Sequence, residues 1–194
     1  MASIPGGGAE ILTDRMRKLR SPGKVGADDW VDCMRVAHEE GLRTTATMVL
    51  GLGETFGDCV EHMKRVRDLQ DQTSGFTAFI AWTFETDDTP LEHEIGKDRI
   101  SGYGAGAVAY LRMLAVSRLY LDNIDNMQSS WVTQGPEIGQ IALLFGANDL
   151  GSTMLEENVV SAAGTVYCMD SDEMRRLAED MGMQAVRRNF FYDA

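Results

Sequence analysis

Thr44-Thr45-Ala46-Thr47-Met48-Val49-Leu50-Gly51-Leu52-Gly53-Glu54-Thr55 decides the fold. From Arg43 to Leu50 the residues are β-branched or apolar without alternation, the pattern of a strand buried on both faces. Gly51 and Gly53 then make a tight turn. Thr55, with Asp58 three residues on, caps a following helix. Glycines at the C-terminal end of a strand let a flat ligand lie against the main chain, because no Cβ stands in the way. In α/β proteins ligands bind at that edge. The segment points to a nucleotide-like ligand; a plain strand-to-helix turn with a Thr cap reads the same residues without one.

Outward from this stretch, helices and strands alternate. Helical spacing predicts helices over 9–19, 28–40, 55–70, 104–123, 136–145 and 170–181. The second carries Trp30, Cys33, Met34 and Ala37 on its inner face. The third carries Phe56, Cys59, Val60, Met63, Val66 and Gln70. The 104–123 helix turns Ala107, Tyr110, Leu111, Leu114, Val116, Leu119 and Leu121 to the core. Strands are expected over 43–50, 76–83 and 126–131, with further ones at 151–155 and 184–189, and 86–101 reads as a polar loop. Doubly buried strands alternating with helices are the signature of parallel βαβ units. The expected fold is α/β: half of a (β/α)8 barrel in one domain over 1–194, with barrel elements to about 165 and a C-terminal helix and strand from 166. Four or five strands fall short of the eight that close such a barrel. The chain also opens on the strand-end loop Pro5-Gly6-Gly7-Gly8 with no strand ahead of it.

The 194 residues suffice for one domain, and 44% hydrophobic content is that of a globular protein. A net charge of −12 argues against a nucleic-acid role. The basic cluster Arg15, Arg17, Lys18 and Arg20 reads as a solvated helix face. No apolar run reaches the roughly 20 residues of a membrane span, and the N-terminus lacks the features of a signal peptide. A cytoplasmic protein without membrane or nucleic-acid partners is the expectation. The three cysteines, Cys33, Cys59 and Cys168, are widely spaced and odd in number. They form neither a disulfide framework nor a metal motif. Core packing is expected for Cys33 and Cys59. The scattered His38, His62 and His93 make no metal pair.

Four constellations carry candidate chemistry. Gly51, Gly53 and Glu54 offer a backbone cradle, with Glu54 bonding back to hold the turn. In Pro5-Gly6-Gly7-Gly8-Ala9-Glu10 the carboxylate of Glu10 suits a vicinal diol; helix-dipole stabilisation is the plainer role. Ser129 to Pro136 crowds polar side chains before a helix N-terminus, for a carboxylate or merely as caps. Gly146 to Ser152 and Glu156-Glu157-Asn158 place polar residues on loops, where function concentrates; Asn148 and Asp149 also suit an Asx turn.

Together these segments resemble the radical S-adenosylmethionine enzymes, and Gly51-Leu52-Gly53-Glu54-Thr55 is similar to that superfamily's adenine motif on the fifth strand. The narrower resemblance is to the cyclic dehypoxanthinyl futalosine synthase family of menaquinone biosynthesis. It is carried by Pro5 to Leu12, Thr44 to Met48, Gly75 to Ile80, Ser130 to Pro136 and Phe145 to Gly164, and so covers nearly the whole chain. Aminofutalosine synthase and the deazaflavin-forming FO synthase share the scaffold and some of these loops.

The resemblance implies a reaction. A [4Fe-4S] cluster reduces S-adenosylmethionine to methionine and a 5′-deoxyadenosyl radical, which takes a hydrogen from the ribose of dehypoxanthine futalosine. The carbon radical closes on the neighbouring ring, and loss of an electron and a proton completes a spirocycle. By position, Glu10 holds the S-adenosylmethionine ribose, Gly51, Gly53 and Glu54 cradle the adenine, and Phe79 to Trp82 flank it. Ser130, Thr133, Gln134 and Asn148 face the nucleoside-derived substrate. Asp149, Glu156 and Glu157 remain alternatives for the final deprotonation, with Asp149 and Glu157 the candidate catalytic pair. One departure stands out: the superfamily's CxxxCxxC cluster motif is absent. The expectation is therefore a chain inactive alone, whose N-terminal barrel half, or a partner chain, holds the cluster. A non-catalytic half-barrel that binds a nucleoside or a partner subunit is the competing reading.

Overall fold

The computed structural model describes residues 3–85, 106–153 and 167–193. Its elements run β1 (Ser3–Ile4), α1 (Asp14–Arg20), α2 (Ala27–Glu39), β2 (Arg43–Leu50), α3 (Phe56–Thr73), β3 (Phe76–Thr83), α4 (Ala107–Tyr120), β4 (Met127–Gln128), α5 (Trp131–Gln134), α6 (Pro136–Ala142), a 3-10 turn (Leu143–Phe145) and α7 (Ser171–Asp180). Among the described residues the strands form one sheet in the order β1-β2-β3-β4. Every pairing is parallel.

The sheet is widest at its centre. β2 and β3 pair along their length, Ala46 opposite Phe79 and Leu50 opposite Thr83. Alternation along β2 and β3 separates two faces. Ala46, Met48, Leu50, Phe79 and Ala81 join Met34, Met63, Val66, Leu69, Tyr110 and Leu114 of the helices in one buried core. The opposite face carries Thr45, Val49 and Trp82, which are only partly covered.

Several expectations are corrected. The chain does open on a strand: Ser3–Ile4 pairs with Arg43–Thr44. The first helix starts at Asp14, because residues 9–12 run beside β2 with Ala9, Ile11 and Leu12 buried, and Thr13 caps the helix. The fourth strand is two residues long, since Trp131 already begins a helical turn. No strand forms over 184–189 or 151–153; residues 154–166 and the 86–101 loop lie outside the described residues. A parallel bridge joins Asp149 to Gln128 instead. On α4, Tyr110, Leu111 and Leu114 are buried, but Val116 and Leu119 are exposed. At 100° per residue those two lie across the helix from Leu114. Phe56 and Val60 of α3 are likewise exposed, and Cys33 lies on the outer face of α2. Among the described residues no helix is long and apolar enough to cross a membrane.

Candidate functional site

The loop after β1 is fastened to β2 through Gly6 and Glu10 and to the helices between them. The Gly6 N–H donates to Thr45 Oγ1 (2.9 Å), and Thr47 Oγ1 donates to the Gly6 carbonyl (2.7 Å). A Cβ on Gly6 would stand 2.0 Å from the Thr45 carbonyl oxygen, so only glycine fits. Trp30 Nε1 donates to Gly7 O (3.2 Å). The Val49 N–H donates to Glu10 O (2.9 Å), which seats Glu10 beside the end of β2.

The turn after β2 is built locally. Gly51 and Gly53 adopt φ of +96° and +84°, which glycine alone enters without strain. The Glu54 carboxylate folds back and accepts from the N–H groups of Gly51 (2.9 Å) and Leu52 (2.8 Å). Asp58 closes the capping box of α3 with Thr55. It also accepts from Thr13 Oγ1 (3.1 Å) and from Arg15, and so ties the two glycine loops together. Burial alone pushes the Asp58 carboxyl up, but hydrogen bonds from Arg15, Thr55 and Thr13 hold it well below the usual carboxylate range.

Of the basic cluster expected as a solvated face, Arg15 and Lys18 are exposed, but the structure corrects the expectation for Arg17. Arg17 is buried. Its guanidinium donates to the carbonyls of Gly8 (2.6 Å) and Ala9 (3.1 Å), to Val25 O, and to Glu10 Oε2 (3.2 Å). Lys24 pairs with the other Glu10 oxygen. Arg20 Nε donates to Leu52 O (3.0 Å) in the second turn. A buried guanidinium inside a cage of carbonyls has five fixed donors to spend. No sequence signal separated Arg17 from its exposed neighbour Lys18.

The ends of β3 and β4 make a second polar zone. Thr83 Oγ1 donates to Thr133 Oγ1 (2.7 Å) and accepts from Gln134 Nε2 (2.9 Å). Ser130 and Thr133 hydroxyls pair at 2.9 Å, and the Ser130 N–H donates to the Tyr110 hydroxyl (2.8 Å). Thr83, the hub, was missed because it reads as an ordinary strand residue. Trp82 lies opposite Val49 and packs on the Trp131 and Val132 cluster. Phe79 and Ala81 face the helices, so of the 79–82 stretch only Ile80 and Trp82 lie on the opposite side of the sheet.

Thus Glu10, Gly51, Gly53, Glu54, Trp82, Ser130, Thr133 and Gln134 gather at the C-terminal ends of the strands. Asn148 does not join them. Its Oδ1 accepts from the Met127 N–H (2.8 Å) and Arg118 (2.9 Å), and its Nδ2 donates to Asp125 O (3.2 Å), at the entry to β4. Asp149 faces the partly covered side of the sheet and is bound by Arg188 and Tyr192. Glu156 and Glu157 lie outside the described residues.

A family model described as the CofH/MqnC C-terminal region matches residues 73–194. The chain belongs to this family. It is 44% identical over 194 residues to cyclic dehypoxanthine futalosine synthase of Halalkalibacterium halodurans, across 98% of this chain and 50% of that protein. It is 42% identical over 195 residues to 5-amino-6-(D-ribitylamino)uracil--L-tyrosine 4-hydroxyphenyl transferase of Methanosphaerula palustris, across 100% of this chain and 52% of that protein. The chain spans about half the length of these curated relatives. Among solved structures, methylornithine synthase (PylB) superposes with a TM-score of 0.64 at 22% identity, covering 88% of this chain and 48% of that one. That likeness shows the fold: the four parallel strands with outer helices correspond to part of a (β/α)8 barrel.

The residues present fit one implied cofactor and not the other. The glycine turn exposes main chain at Gly53, with the buried Gly51 and Leu52 N–H groups held by Glu54, and the Glu10 carboxylate, held by two cations, retains lone pairs for a diol; this suits the adenosine of S-adenosylmethionine. A [4Fe-4S] cluster needs thiolates. Cys33 is exposed on α2 and Cys168 in the stretch before α7, and burial, with Glu54 and Asp58 nearby, pushes the Cys59 thiol up to about 12. Among the described residues no three His, Cys, Asp or Glu side chains come together as a metal site. The cluster therefore finds no ligand set here.

Proposed function

We propose that this chain supplies the adenosine-binding rim and part of the substrate wall of a radical S-adenosylmethionine enzyme that forms cyclic dehypoxanthinyl futalosine. The observation that carries the reading is the 2.9 Å hydrogen bond from the Val49 N–H to Glu10 O. It seats a diol-accepting carboxylate on the same rim as the glycine turn. Glu10 sits at φ +39°, a strained geometry for a non-glycine residue, and such outliers gather at ligand sites. Bound S-adenosylmethionine supplies the hydrogen-abstracting chemistry. The chain's residues orient it: Gly51 and Gly53 take the flat base, Glu10 the ribose, and Trp82 walls the neighbouring strand end. The Thr83, Ser130, Thr133 and Gln134 hydroxyl and amide groups present donors and acceptors to the nucleoside substrate. The cluster and the remaining barrel strands come from another part of the complete enzyme or from a partner chain.

Calorimetric titration of S-adenosylmethionine into the purified chain tests the rim. Saturable binding is expected, weakened at least tenfold by Glu10→Gln and abolished by Gly53→Val. Affinity unmoved by both substitutions would remove the rim from the site. The 42% identity to the 4-hydroxyphenyl transferase favours a second reading, in which the same scaffold handles a ribityl-uracil substrate. Mass analysis of products from the complete enzyme, offered each substrate in turn, separates the two.

A further inference from the structure

Residues 184–193 form no helix or strand, yet they have a defined shape. The Asn189 N–H donates to Asp193 O (3.0 Å), and Asn189 Oδ1 accepts from the N–H of Phe191 (2.8 Å) and of Asp193 (3.2 Å). The turn presents Arg188 and Tyr192 side by side, the guanidinium 3.9 Å from the ring centroid. Both reach Asp149. Arg188 Nε donates to Asp149 Oδ1 (3.1 Å), Arg188 Nη2 to Oδ2, and the Tyr192 hydroxyl to Oδ2 (2.8 Å). The Gly151 N–H also donates to Oδ1 (3.0 Å). The Asp149 side chain is 8% exposed. Opposite the turn stand Ser3, Pro5, Thr45 and Gln128, and between turn and sheet lies a cavity of about 400 Å³.

We propose that Asp149 is a positioning residue: it anchors the 184–193 segment across the inner face of the sheet, toward the N-terminal ends of the strands, as a floor beneath the site. Four donors occupy its two oxygens. A carboxylate so occupied holds a segment in place and is poorly placed to accept a substrate proton. The location fits a floor. Thr45 is near the start of β2, whereas the glycine turn and Thr83 are at the opposite ends of the strands. Ligand then enters at the rim, and the segment lies across the far side. That last role rests on the ligand reading above; the anchoring does not.

The test is backbone amide hydrogen exchange of the whole chain, read by mass spectrometry. In the wild type, peptides covering 184–193 should exchange at least tenfold more slowly than an unstructured chain; exchange at the unstructured rate overturns the proposal outright. Arg188→Gln should remove that protection, with β2 and β3 still protected. Arg188→Lys keeps the charge but not the two-pronged contact and should restore part of it. Tyr192→Phe should raise exchange about threefold. Segment protection unchanged in Arg188→Gln would also sink the idea. None of these readings depends on S-adenosylmethionine, so failure of the anchor and failure of the ligand site are seen separately.

Discussion

The two polar zones at the strand ends differ in composition and are built in opposite ways. Around β1 and β2, glycines leave main chain bare, and charged side chains behind it do the holding: Arg17, Arg20, Glu54 and Asp58. Around β3 and β4, neutral hydroxyls and an amide bond mainly to one another: Thr83, Ser130, Thr133 and Gln134. The first zone presents backbone, fixed from behind by ions. The second presents side chains that trade partners at little cost. Binding a flat base needs the former, and reading a polyhydroxylated substrate suits the latter.

The sharpest way to break this contrast is steric. Gly6→Ala places a methyl into the Thr45 carbonyl, whereas a Cβ on the adjacent Gly7 meets nothing within 4 Å. Gly6→Ala should destabilise the fold by about 3 kcal/mol or more, at the upper end of overpacking costs, and Gly7→Ala by less than about 1 kcal/mol. Urea unfolding of both variants checks this; equal effects would show that the loop is not seated on β2.

Removing the ionic support comes next. Arg17→Met leaves three carbonyls without their donor and Glu10 with Lys24 alone. A loss of about 3 kcal/mol is expected, as for a buried pair broken from one side. Losing S-adenosylmethionine affinity at unchanged stability would instead make Arg17 a direct ligand contact.

Acid should discriminate as well. His62 is fully buried, with Nδ1 accepting from the Leu12 N–H (3.0 Å). Burial, then Arg65 and Arg17, push its imidazole down to about 3. The unfolded chain, with an ordinary histidine near 6.5, therefore binds the proton first, and stability falls as pH drops from about 6.5 toward 3. Between pH 7 and pH 5 the loss from His62 is about 2 kcal/mol. His38, also lowered, chiefly by burial, adds in the same direction. Asp58, held low, keeps its stabilisation until pH falls below about 4. His62→Gln retains an acceptor for Leu12 and should flatten the slope between pH 7 and pH 5. An unchanged slope would place the titration elsewhere.

The smallest effect is expected in the hydroxyl zone. Thr83→Val removes the hub but leaves Thr133 bonded to Ser130, so about 1 kcal/mol should be lost, the usual net worth of a neutral hydrogen bond. A loss as large as that of Arg17→Met would erase the distinction between the zones.

Much of the fold was legible because its signals are short-range. The continuous apolar runs of β2 and β3, the Thr55–Asp58 box and the positive-φ glycines all involve partners within a few residues. The edge strands were less legible: Ser3–Ile4 is too short for a pattern, and Met127–Gln128 reads as a strand running on to Trp131, because only pairing in the sheet sets where such short segments stop. In the candidate site, Glu54 bonds back as its spacing suggested. From the residues alone Glu10 reads equally as a diol acceptor or a helix-dipole acid, and its contact with Val49 brings it to the glycine turn.

The sequence by itself determined a parallel α/β chain with a glycine turn at a strand end, because periodicity, capping and backbone sterics act between near neighbours. The tertiary structure decided the employment of the charged residues. Arg17 and Lys18 have the same local neighbourhood, yet one is caged and one solvated. Asp149 meets Arg188 across 39 residues of chain. Whether a charge is exposed or holds a loop in place depends on which distant carbonyl or carboxylate the packed core brings within about 3 Å, and no local pattern records that distance.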